Sequence, residues 1–88
     1  MSVYDELERL NPIKGKVDKE TIRKVLDDAV NEYMRTKSVK EAIVVAYLEN
    51  AQTVKANREA FDIIAKVLED LAKKIGFEYA VSVIVEAL

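Results

Sequence analysis

Three acidic side chains fall close together in the first half of the chain: Asp27, Asp28 and Glu32. On a helix, Asp28 and Glu32 lie one turn apart on the same face. Two carboxylates placed in this way can hold a divalent cation or serve as an acid and a base. These residues also lie opposite an apolar stripe, where charged side chains are expected in any case, so the pattern favours a solvated face. The same interpretation applies to Glu59 with Asp62 and to Glu69 with Asp70.

The composition excludes most kinds of catalytic site. The 88 residues include no Cys, which excludes disulfides, thiolate nucleophiles and thiolate metal sites, and no His, which removes the commonest general base and metal ligand. Only carboxylate or lysine chemistry is left. The sequence therefore predicts a protein that is not an enzyme and needs no cofactor.

Basic residues gather at two places, which could grip the phosphates of a nucleic acid. The chain as a whole has a formal net charge of −2, which favours ordinary surface charge. A nucleic-acid-binding module, alone or in a DNA- or RNA-processing complex, is therefore the alternative function. Its predicted contacts are Lys14, Lys16, Lys19, Arg23, Lys24, Arg35, Lys37 and Lys40.

The chain contains one long stretch without Gly or Pro, and we expect the other helices to pack against it. It begins at Ser38, which forms a capping box with Glu41, and it ends at Gly76, a residue type that commonly closes helices. These signals predict helix over residues 39–75.

Apolar residues in this stretch recur at alternating spacings of four and three, the pattern of a helix that packs along a seam. Two seam positions are Asn, and such residues either fix the register of a helix interface or mark where the helix bends or meets solvent. We expect the seam to bind a second copy or another protein. The predicted interface is Ile43, Tyr47, Asn50, Val54, Asn57, Phe61, Ile64 and Leu68.

The length of this stretch leaves two alternatives. A continuous helix over residues 39–75 would be about 55 Å long, whereas a compact chain of this size is about 30 Å across. A continuous helix would need another chain to cover the excess. A broken helix would fold back near residues 50–53, with Asn50 in the left-handed conformation and Thr53 as the next cap. Positive charge just after Thr53 slightly favours continuity.

Three further segments are expected to pack around the long stretch. Ser2 and Asp5 begin a short helix that ends at Leu10, and a loop follows. Asp18 caps the next helix, whose apolar residues follow the helical spacing through Met34. Residues 77–88 fit both a helix and a strand, and helix is favoured because no good partner strand is present.

Together these observations predict an all-α fold: a small bundle of about four helices in a single domain, residues 1–88. The predicted function is a non-catalytic protein-protein interaction module, either a homodimer or a small accessory subunit of a larger assembly. No apolar run is long enough to cross a bilayer, so we expect no membrane partner and a cytoplasmic location. The amino-acid usage, without Cys or Trp, resembles that of thermophile proteins.

Overall fold

In a computed structural model, which describes residues 2–88, most of the chain is helical, with turns and a loop between Ile13 and Lys19. No strand occurs within residues 2–88, so the predicted all-α class is confirmed, as is the helix predicted for the C-terminal segment. A short 3-10 helix, Asn11–Ile13, follows the first α-helix. The α-helices of the described range are α1 (Val3–Glu8), α2 (Lys19–Thr36), α3 (Val39–Glu49), α4 (Ala51–Ala56), α5 (Arg58–Ile75) and α6 (Phe77–Ala87).

The predicted helix starts are the residues that cap helices in the structure. Ser2 and Asp5 form a reciprocal capping box, with both backbone-to-side-chain distances at 3.1 Å. The side chain of Asp18 accepts a hydrogen bond from the backbone N–H of Thr21 at 3.2 Å. The Ser38 hydroxyl does the same for the N–H of Glu41, also at 3.2 Å. Each oxygen satisfies a donor that the first helical turn leaves unpaired.

The continuous helix predicted over residues 39–75 is wrong, and the alternative of a break near residues 50–53 is confirmed at Asn50. The stretch consists of α3, α4 and α5, with breaks at Asn50 and Asn57, so the described residues form six α-helices where about four were predicted. The molecule is only 29 Å along its longest axis, so a straight helix of about 55 Å would extend far beyond it. Asn50 has φ −117° and ψ 35°, which is not the left-handed conformation. Thr53 lies inside α4 and caps no helix.

The two asparagines make similar side-chain contacts at the breaks. The side-chain amide of Asn50 donates to the backbone carbonyl of Ala46 at 2.8 Å, and that of Asn57 donates to the carbonyl of Thr53 at 2.9 Å. The Ala46 carbonyl also accepts a hydrogen bond from the backbone N–H of Asn50, at 3.1 Å. The backbone N–H of Asn57 donates to the carbonyl of Val54 instead of Thr53, so at Asn57 the side chain takes the place of the helical donor. The sequence left two roles open for Asn50 and Asn57, at a helix interface or at a bend, and the structure places both at bends.

Connections of one or two residues join neighbouring helices sharply. Lys37 and Ser38 join α2 to α3. Lys37 has a left-handed φ of 60°, and its N–H donates to the carbonyl of Tyr33 at 2.8 Å. Gly76 joins α5 to α6 with φ 88°, a conformation that favours glycine. α2 consequently packs along α3, α5 packs against α6, and α1 lies on α5.

The core forms where these helices meet. Its largest fully buried side chain is Phe61, which meets Tyr47 edge to face with ring centroids 5.5 Å apart. A second aromatic pair, Tyr33 and Phe77, stacks at 4.7 Å and ties α2 to α6. No helix of the described residues is both long and apolar enough to cross a membrane.

One charged side chain lies inside this core. Glu6 is 1% exposed, and its carboxylate accepts a hydrogen bond from Arg9 at 2.8 Å. The same guanidinium nitrogen donates to Asp70 on α5 at 2.6 Å. Arg9 therefore neutralises a buried carboxylate and links α1 to the bundle.

Replacing Arg9 with Met should destabilise the protein by about 3 kcal/mol, because Glu6 would be left buried without a cationic partner. This value is at the low end for buried pairs, since the Arg9 side chain is 34% exposed and water can reach it. Denaturant unfolding followed by circular dichroism measures the change. As a control, Arg23→Met removes only an exposed pair with Glu20 and should change stability by less than about 0.5 kcal/mol. Equal effects of the two substitutions would contradict the role of Arg9.

The Asp70 contact also predicts a pH dependence. The hydrogen bond from Arg9 holds the pKa of Asp70 below its usual value. The stabilisation is therefore fully present above the pKa of the unfolded chain, about 3.9, and it is lost as the pH falls through the lower folded value. Asp70→Asn should lower stability at neutral pH and flatten its decline below about pH 4. Unfolding curves at a series of acidic pH values measure this, and an unchanged decline would contradict it.

Candidate functional site

A polar cavity lies where α3 breaks into α4 and faces α2. Its volume is about 460 Å³, and it is open to solvent. The bend at Asn50 creates this cavity, because it turns the end of α3 and the start of α4 toward the first half of α2. Its polar lining residues are Thr21, Lys24, Glu49, Asn50, Gln52 and Thr53.

Asn50 is the centre of the hydrogen bonding beside this cavity. Its side-chain nitrogen donates to Asp28 Oδ2 at 2.9 Å as well as to the Ala46 carbonyl. Its side-chain oxygen accepts from Lys24 Nζ at 3.2 Å. One amide thus connects the helix bend to two residues of α2.

Lys24 completes a cluster of three polar side chains. Its ammonium nitrogen lies 3.2 Å from Asn50 Oδ1 and 3.6 Å from Asp28 Oδ2. The Asp28 side chain is 34% exposed and that of Lys24 is 72% exposed, so the cluster is at the surface. One oxygen from α2 and one from the bend after α3 thus lie beside the same cation. We call Lys24, Asp28 and Asn50 the cation cluster.

The three acidic residues predicted from the sequence are not all brought together. Asp28 belongs to the cation cluster, whereas Glu32 pairs with Arg35 at 2.6 Å. Asp27 is exposed on α2, where it lines one shallow cavity shared with α6 and, beside Asp28 and Glu20, a second one on α2 itself.

Within residues 2–88 no group of three or more acidic side chains is arranged to hold a metal ion. Helical spacing places Asp28 and Glu32 on one face of α2, but each pairs with a different basic side chain. Asp28 pairs with Lys24, and Glu32 pairs with Arg35.

The predicted nucleic-acid contacts are also separated. The two groups lie at opposite ends of α2, an 18-residue helix about 27 Å long. Arg23 pairs with Glu20 at 3.1 Å, and Lys16 lies 3.9 Å from Glu59. In the second group, Arg35 pairs with Glu32. Acidic neighbours therefore interrupt the positive charge of both groups.

The predicted interface seam is divided between the core and the surface. Four of its apolar residues are buried by the chain itself: Ile43, Phe61, Ile64 and Leu68. The remaining four are partly exposed, with Asn50 and Asn57 at the bends and Tyr47 and Val54 beside a groove.

That groove is the second notable surface of the molecule. It runs between α3 and α5, is closed at one end by α4 and has a volume of about 540 Å³. Val44 and Leu48 on its α3 wall are 55% and 70% exposed. We call it the apolar groove. Its lining residues are Ile43, Val44, Tyr47, Leu48, Ala51, Val54, Lys55, Arg58, Asp62, Ala65 and Glu69.

Sequence reasoning did not find the cation cluster. It identified Asp28 as a candidate cation ligand and Asn50 as an unusual polar residue, but the two are 22 positions apart. No local pattern connects them, because their contact depends on how α2 packs against α3. Only two features of the sequence pointed to the cluster. Asn50 interrupts an apolar pattern, and Lys24 precedes Asp28 by one helical turn.

Asn50→Ala should destabilise the protein by about 1–2 kcal/mol, because it removes the hydrogen bonds to Asp28, Ala46 and Lys24 together. Asn57→Ala is the matched control, since it removes only the bond to the Thr53 carbonyl and should cost about 0.5–1 kcal/mol. Denaturant unfolding of the two variants compares them directly. A larger loss for Asn57→Ala would show that the cluster adds nothing to the bend at Asn50.

The whole chain, residues 1–88, matches the family described as Calcium binding protein SSO6904, and it belongs to that family. No curated protein and no solved structure matches it significantly.

Proposed function

We propose that this member of the family binds Ca²⁺ weakly, at the cation cluster between α2 and the bend at Asn50. The family description supports calcium as the ligand, and it covers the full length of the chain. The net charge of −2 also favours the approach of cations over anions.

One observation carries the choice of site. Asp28 Oδ2 and Asn50 Oδ1 converge on the Lys24 ammonium at 3.6 and 3.2 Å. Carboxylate and amide oxygens are the ligands that calcium prefers. The lysine side chain is flexible and mostly exposed, so it can move into solvent and leave these oxygens for another cation.

The donor set fits a weak calcium site and does not fit a tight one. Ca²⁺ takes six to eight oxygens, usually with several carboxylates among them. Here Asp28 supplies one carboxylate and Asn50 one amide oxygen, while Glu49, Thr21 and Thr53 line the adjoining cavity. Water would provide the other ligands. With so few charges, we expect a dissociation constant of about 10⁻⁴–10⁻³ M or weaker.

Binding at this place would join two parts of the fold. Asp28 belongs to α2 and Asn50 to the bend after α3, so a ligand held by both stabilises the packing of these helices. Any ligand that binds only the folded chain raises stability by mass action, by about 1.4 kcal/mol at ten times the dissociation constant. A calcium-dependent rise in melting temperature is therefore a second readout of the same site.

Asp28→Asn should weaken Ca²⁺ binding by about ten-fold, because it removes the only carboxylate of the cluster. The measurement is a calcium titration of the chain followed by NMR, with the backbone and side-chain amide signals of Asn50 as reporters. Glu78→Gln removes the same charge from an exposed position on α6 and should leave the titration unchanged. Non-saturating shifts spread over all acidic residues, insensitive to Asp28→Asn, would reject the site.

Lys24→Met should strengthen Ca²⁺ binding, by up to about five-fold, because it removes the competing ammonium from a surface pair worth at most about 1 kcal/mol. Lys66→Met removes the same charge from an exposed position on α5 and serves as its control. Equal gains in the two variants would indicate only a general effect of net charge.

A further inference from the structure

We infer that the apolar groove is covered by the same groove of a second copy of this chain, in an antiparallel arrangement about a two-fold axis. This inference concerns a different face from the proposed calcium site. It places self-association on the groove instead of the seam predicted from the sequence, whose apolar residues are largely buried.

The groove exposes large apolar side chains to water. Val44 and Leu48 lie one turn apart on α3 and are 55% and 70% exposed. The groove is also lined by Val54 and by the small side chains of Ala51 and Ala65. Protruding apolar residues beside small ones are suited to receive a matching ridge from another helix.

The groove is held in shape without a partner. The Tyr47 hydroxyl donates to the backbone carbonyl of Phe61 at 2.6 Å, which ties α3 to α5 across its base. The Tyr47 ring also packs edge to face on the Phe61 ring. Because the groove is formed in the free chain, little ordering cost opposes its being covered.

The charges at the edge favour a second copy as the occupant. Lys55 and Arg58 lie at the end closed by α4, whereas Asp62 and Glu69 follow along α5. Arg58 also pairs with Asp62 of its own chain, but at 3.9 Å and with both side chains mostly exposed this pair is weak, and Arg58 can still reach a partner. The groove is thus positive at one end, and Glu69 makes it negative toward the other. A partner running in the opposite direction must present negative charge first and positive charge last, and a second copy turned about a two-fold axis does so.

The spacing agrees with this arrangement. Arg58 and Glu69 are 11 residues apart on α5, or about 16 Å. Turning a second copy about an axis between them brings each Arg58 toward the Glu69 of the other copy, at two equivalent places. Ala65 lies near that axis, where its small side chain allows close approach. A parallel partner would place like charges together.

The first test measures mass in solution by light scattering and sedimentation over about a hundred-fold range of concentration. The intact chain should form dimers as concentration rises. Leu48→Asp should abolish them while leaving the circular dichroism spectrum unchanged, because Leu48 is exposed in the single chain. A chain that stays monomeric throughout, or dimers that tolerate Leu48→Asp, would overturn the inference.

A charge exchange tests the geometry. Arg58→Glu and Glu69→Arg should each weaken self-association by at least about ten-fold, because each places like charges opposite one another twice. Mixing the two variants should restore dimers, since a chain carrying Arg58→Glu and a chain carrying Glu69→Arg then present opposite charges to each other at both places. Lys66→Glu changes an exposed charge on the same helix outside the groove and should have no such effect. Failure of the mixture to restore dimers would overturn the two-fold arrangement.

Discussion

The size of the molecule imposes the constraint on which the rest of the structure depends. A chain that packs to a longest dimension of 29 Å cannot contain a single helix over residues 39–75. The apolar positions of that stretch must nevertheless be buried, so the helix has to turn back on itself. An asparagine lies at each of these turns, and its side-chain amide donates to the backbone carbonyl four residues earlier.

The first of these bends also creates both surfaces on which function is proposed. On one side of it lies the polar cavity beside α2, and on the other lies the apolar groove between α3 and α5. Leu48 and Ala51 line both. The proposed calcium site and the proposed dimer interface thus lie on opposite sides of one bend. The two can be tested separately, because the cation cluster depends on Asp28 and Lys24, which do not line the groove.

Several acidic side chains of the protein pair with its own basic side chains. Arg9 lies between Glu6 and Asp70, Arg35 pairs with Glu32, and Lys24 lies beside Asp28. This pairing explains why a chain rich in carboxylates has no group of them arranged as a metal site within residues 2–88. It also explains why the basic residues form no continuous positive surface. A ligand cation must compete with lysine or arginine, which favours weak binding.

The all-α class and the starts of α1, α2 and α3 could be predicted from the amino-acid sequence. They depend on short-range chemistry: a Ser or Asp oxygen bonding to a backbone N–H three residues later, and apolar residues at helical spacing. The sequence also marks Asn50 and Asn57 as irregular positions. The continuity of the central stretch could not be predicted, because a seam of regular spacing is compatible both with one long helix and with helices that fold back onto one core.

Which residues share a site depends on the packing of the helices and could not be predicted from local patterns. Ile43 and Phe61, predicted at an interface, are buried by the chain itself, since the fold supplies its own covering helices. Asp28 meets Asn50, rather than acting with Glu32, because α2 packs along α3 in one particular register. Contacts between residues far apart in the chain follow from how helices pack, and helix packing depends on the shape of the whole core rather than on any local pattern.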